Sequence, residues 1–108
     1  MAQKEETNFK DRVRSFLEKL PNTWFEKIQQ VCIKGTPDFL ASVGGRFVAL
    51  ELKRARNVKP EPLQTHILSK IAATGGYGLV VYPENWEEIK AMLTALSKRI
   101  PLHGGRGL

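Results

Sequence analysis

The chain has 108 residues, 42% of them apolar and 26% charged, which is enough for one hydrophobic core, too short for two, and not the composition of a disordered segment. Seventeen Lys and Arg against eleven Asp and Glu give a net charge of +6 and a pI near 9.7, a balance that favours polyanionic partners, nucleic acid first among them. No apolar run approaches membrane-spanning length, the N-terminus Met1-Ala2-Gln3-Lys4-Glu5-Glu6 lacks the apolar segment of a signal peptide, and the lone Cys32 has neither a disulfide partner nor metal-ligand spacing, so a cytoplasmic protein without a membrane partner is expected.

Apolar residues Phe9, Val13, Phe16, Leu17 and Leu20 recur at helical spacing, which predicts an amphipathic helix over 9–20 that Pro21-Asn22 ends. Residues 24–33 are rich in aromatic and β-branched side chains and read as the first strand, with Cys32 a small core hydrophobe on it. Residues 38–43 and 46–53 flank Gly44-Gly45, a two-residue hairpin signal. Their apolar residues fall on both faces of both strands, so layers are expected above and below the hairpin. A polar loop with Pro60 and Pro62 leads to a second helix over 63–73 that stops at Gly75-Gly76. Residues 77–82 form a short apolar strand, and Pro83-Glu84-Asn85 opens a last helix with Trp86, Ile89, Met92, Leu93 and Leu96 as its buried stripe. One domain over 1–100 and a flexible tail over 101–108 are expected, in an α/β fold whose intervening helix permits a parallel final strand pairing.

The hairpin fixes a register. Val43 faces Arg46, Ala41 faces Val48, and Asp38 lands opposite Glu51, with Lys53 two residues on along the same face. Two carboxylates directly opposed across a ladder repel each other, and at the margin of buried strands they are expensive unless paired or bound to a metal. A hard cation with oxygen ligands offsets both costs. On the second helix, Gln64 sits within the arc of Leu63, Ile67, Leu68 and Ile71, so its amide needs a partner: the metal-site residues, a phosphate, or a backbone group that it caps. His66 points the opposite way, and both it and His103 are expected at the surface.

Gly35-Thr36-Pro37-Asp38-Phe39-Leu40, the run from Gly45 to Glu51-Leu52-Lys53, and Pro62-Leu63-Gln64 followed by Gly75-Gly76-Tyr77 occur in this order along most of the chain. Together they resemble the stand-alone virus-type replication-repair nuclease (VRR-NUC) domains of the PD-(D/E)XK nuclease superfamily. The resemblance implies a restriction-endonuclease-like core, α-β-β-β-α-β with a C-terminal helix, in which a mixed central sheet is flanked by helices. It implies hydrolysis of DNA phosphodiester bonds with Mg²⁺ or Mn²⁺ held by Asp38, Glu51 and the backbone carbonyl of Leu52, Lys53 as the catalytic lysine, and Gln64 beside them. In the family an acidic residue of the first helix commonly joins the metal, and Glu6 is the matching position; it shares the face of Phe9, Val13 and Leu17. Thr7 and Asn8 are both good N-cap residues, however, and a helix starting after them would leave Glu6 in a frayed end. Lys34, Arg54, Arg56 and Lys59 are the candidate phosphate contacts. The resemblance leans towards a phage-encoded protein acting in the host cytoplasm. Two alternatives stay open: a Holliday-junction resolvase, which requires a homodimer to cut two strands symmetrically, and a catalytically inactive nucleic-acid-binding module on the same scaffold.

Overall fold

A computed structural model describes residues 2–28 and 35–99, with side chains from Asn8 onward. The elements run α1 (Ala2–Lys19), β1 (Thr23–Lys27), β2 (Phe39–Val43), β3 (Arg46–Leu52), α2 (Pro62–Ala73), β4 (Tyr77–Val81), a 3₁₀ turn (Pro83–Asn85) and α3 (Trp86–Ser97). The four strands form one mixed sheet in the order β1-β2-β3-β4, antiparallel except for the parallel β3–β4 pair.

The β2–β3 turn works as its sequence demands. Gly44 and Gly45 have φ of 56° and 83°, the left-handed pair that a two-residue hairpin needs and that residues with a Cβ resist. Val43 then pairs with Arg46, Ala41 with Val48 and Phe39 with Leu50, so the counted register holds. The parallel β3–β4 pairing follows from the α2 crossover.

The main core lies on one face of the sheet. Phe9, Val13 and Leu17 from α1 and Ile89, Leu93 and Leu96 from α3 bury against Phe39, Ala41, Val43, Val48, Leu50, Leu52 and Val81. Each of these side chains larger than Ala41 contributes roughly 1.5–3 kcal/mol on burial. Trp86 ties the two helices together through edge-to-face contacts with Phe9 and Phe16, at 5.9 and 5.3 Å between ring centroids. On the opposite face α2 packs over β4 and β3, with Leu68 buried.

Three expectations are corrected. The first strand covers Thr23–Lys27 and leaves Ile28 outside it; the remainder of the expected 24–33 strand, with Cys32, and Lys34 lie outside the described residues. Among the described residues the second covering layer does not span the hairpin, because α2 packs over β3 and β4. Ser42 on β2 is exposed and Phe47 on β3 keeps 47% of its surface in solvent, as does the neighbouring Trp24 with 65%. The first helix starts at Ala2 and runs through Thr7 and Asn8 without capping at either, so Glu6 lies inside the helix; its side chain is outside the described set. Helix propagation adds one hydrogen bond per residue once a nucleus exists, which here outweighs the local capping preference. The tail over 101–108, with His103, is likewise outside the described residues, and among these no helix is long and apolar enough to cross a membrane.

Candidate functional site

Asp38 sits one residue before β2 and is fixed from two sides. Its backbone carbonyl accepts the Ile28 N–H at 2.8 Å, and its Oδ2 accepts the Leu52 N–H, also at 2.8 Å. The hairpin ladder, continued one step past Phe39 and Leu50, puts Asp38 opposite Glu51. A strand residue's N–H and C=O point to the same side, so the Leu52 carbonyl also faces the Asp38 edge of β3.

Glu51 alternates with Leu50 and Leu52 and therefore projects away from the main core, into the space under α2. It is 3% exposed, a rare position for a carboxylate. Its Oε2 receives the Gln64 amide at 2.9 Å and the Lys53 ammonium at 3.2 Å. Its Oε1 is buried and has no hydrogen-bond partner among the described residues. Burial, and then the negative charge of Asp38, push the Glu51 pKa above its ordinary value of 4.5; Lys53 and Lys10 pull in the other direction without cancelling the rise.

Lys53 follows β3, yet its N–H still donates to the Val81 carbonyl at 2.8 Å. That bond keeps the chain extended for one residue more and brings the ammonium to the face of Glu51. Gln64 combines two of the three roles open to it. Its Oε1 accepts the Glu61 N–H at 3.0 Å and closes the start of α2, while its Nε2 holds Glu51. The helix cap and the site carboxylate thus share one side chain.

These groups open onto a cleft of about 470 Å³ lined by Gly35, Thr36, Asp38, Glu51, Glu61, Leu63 and Gln64. Gly35 forms its floor under α2: with φ at 86°, a Cβ there would lie 2.8 Å from Leu63 Cγ and Ile67 Cδ1. Leu63, expected in the buried stripe of α2, is instead 44% exposed on the cleft wall.

The sequence-predicted residues divide accordingly. Asp38, Glu51, Leu52, Lys53 and Gln64 converge. Arg54, Arg56 and Lys59 stay exposed on the loop between β3 and α2 and do not line the cleft, and Arg56 lies over the Tyr82 ring at 5.4 Å. His66 is exposed as expected. Lys10 on α1 was not anticipated; its ammonium stands 4.0 Å from Asp38 Oδ1. Helical periodicity carries the signal, since Lys10 lies one turn beyond Glu6 at the edge of the buried stripe.

Among the described residues there is no cluster of three His, Cys, Asp or Glu side chains able to hold a metal. The oxygen donors on hand are two carboxylates and the Leu52 carbonyl edge. Such a set suits Mg²⁺ or Mn²⁺, hard cations that keep several waters and take one or two protein carboxylates. The orphaned Oε1 of Glu51 beside the Asp38 charge fits a cation at this point. Comparison with protein-family models, curated protein sequences and solved structures gave no match.

Proposed function

We propose that the chain is a metal-dependent DNA endonuclease with a PD-(D/E)XK site of the VRR-NUC type on a restriction-endonuclease-like core. One observation carries the reading: a nearly buried Glu51, its pKa raised, keeps one oxygen unpartnered beside Asp38 while Lys53 and Gln64 hold the other. Structural carboxylates in a protein interior are normally satisfied, and an exception at the wall of an open cleft signals chemistry. The element order, with a parallel pair across α2, also supports this reading.

Asp38 and Glu51, with the Leu52 carbonyl, would hold Mg²⁺ or Mn²⁺. The ion supplies polarisation of the scissile phosphate and a lowered pKa for a water nucleophile. The protein's own part is positioning. Gln64 and Lys53 fix the Glu51 carboxylate through Oε2 and leave Oε1 free for the ion, while the Leu52 N–H fixes Asp38 through Oδ2 and turns Oδ1 towards Lys10. The Lys53 ammonium stabilises negative charge building on the phosphoryl oxygens, a preorganised donor of the kind whose removal costs roughly 10²–10³ in rate. A net charge of +6 draws the polyanion in.

Incubation of supercoiled plasmid and of flap, splayed and four-way DNA with Mg²⁺, Mn²⁺ or EDTA tests the proposal. Cutting that requires the metal and falls about 100-fold or more in Lys53→Met is expected. DNA binding without cutting under either metal would move the chain to the inactive binding class.

A further inference from the structure

Among the described residues, two lysines face the opposed carboxylates. Asp38 and Glu51 are matched by Lys53, 3.2 Å from Glu51 Oε2, and by Lys10, 4.0 Å from Asp38 Oδ1. The two lysines stand differently. Lys53 follows β3 directly, its backbone is bonded into the sheet, and its contact is to the carboxylate oxygen that Gln64 also holds. Lys10 comes from α1, the helix on the core face of the sheet, and its side chain is 29% exposed. It faces the Asp38 oxygen that the Leu52 N–H leaves over, since that N–H takes Oδ2. The ammonium therefore stands at the oxygen a divalent ion would use.

We infer that Lys10 is a resident counter-cation of the site, one that holds the metal-facing oxygen of Asp38 until a phosphodiester arrives and then transfers its charge to the phosphate. The inference rests on the metal-dependent reading of the cleft. Its physical basis is competition. An ammonium and a divalent cation near one carboxylate oxygen repel each other, so the ion binds the empty site weakly. A DNA phosphate adds the missing negative charge, and the flexible four-carbon stem of a lysine lets the ammonium move a few ångströms to meet it. Metal and DNA then bind with positive coupling, and by linkage each raises the affinity of the other by the same factor. The consequence is a nuclease that holds its metal weakly until DNA is in place.

The test is calorimetric titration of Mn²⁺ into wild type, Lys10→Met, Lys10→Arg and Asp38→Asn, alone and with a duplex carrying a non-hydrolysable phosphodiester. Methionine keeps the length and apolar stem of the lysine without its charge, and thermal melts show that each variant is folded. Expected are roughly tenfold tighter Mn²⁺ binding by DNA-free Lys10→Met than by wild type, wild-type behaviour in Lys10→Arg, and a DNA-induced gain in Mn²⁺ affinity that is several-fold smaller in Lys10→Met. Equal Mn²⁺ affinities for wild type and Lys10→Met, with binding lost in Asp38→Asn, would overturn the role of Lys10 and leave the metal site standing. Mn²⁺ binding that is absent in wild type with and without DNA, or unaffected by Asp38→Asn, would overturn both.

Discussion

Glu51 concentrates the cost of this site in one residue. Burial and the Asp38 charge raise its pKa, which means that the folded chain holds the Glu51 proton more tightly than the unfolded chain does. Below the ordinary value of 4.5 both states are protonated and no penalty exists; as the pH rises through the folded value, ionisation draws stability out of the fold. Glu51→Gln, which keeps the shape and the acceptor for Gln64, is therefore expected to raise the melting temperature at pH 7, with the gain vanishing as the pH falls towards 4.5. Mn²⁺ should raise the melting temperature of wild type by mass action and leave that of the Gln variant unchanged. A variant less stable than wild type at pH 7, or a difference independent of pH, would show that the Lys53 ion pair outweighs the burial cost.

At the scale of elements, two segments aim the site: the β2–β3 hairpin opposes the carboxylates, and α2 roofs them. The roof depends on Gly35, whose positive φ and close approach to Leu63 and Ile67 let the α2 start sit over the cleft. Gly35→Ala should cost about 1–2 kcal/mol, the penalty for a Cβ in the left-handed region, read as a lowered denaturation midpoint; an unchanged midpoint would mean that the loop re-routes freely. The hairpin was the most legible part of the chain. Gly44-Gly45 dictates a turn, a turn dictates a register, and the register alone opposes Asp38 to Glu51. Gln64 was legible through its place on the apolar arc, although only the coordinates show its amide serving the Glu61 cap and Glu51 together. The start of α1 was not decided by sequence, because Thr7 and Asn8 favour a cap locally while the neighbouring turns favour continuation. Lys10 is only weakly marked in the sequence, because a lysine at the edge of a stripe looks like any solvated helix residue, and only the sheet beneath α1 supplies its carboxylate. The exposure of Phe47 and Trp24 is hidden for the same reason: apolar residues on a strand say that a face can be covered, while the length and position of α2 decide whether it is.

The whole molecule is an asymmetric sandwich. Among the described residues, α1, α3 and most of the core stiffen one face of a four-stranded mixed sheet, and the other face carries the cleft beneath α2. That division puts the main core and the carboxylates on opposite faces, so changes at the carboxylates can be made without touching the core built on Phe9, Leu50 and Trp86. The central claim, that Asp38 and Glu51 form one hydrolytic metal site, is tested most directly by single-turnover cleavage of supercoiled plasmid at saturating Mn²⁺, comparing wild type with Asp38→Asn and following the melting of both. The account predicts that Asp38→Asn remains folded and loses at least about 100-fold in cleavage rate, the scale of losing a group that stabilises the transition state. A folded Asp38→Asn that cuts at the wild-type rate would contradict it.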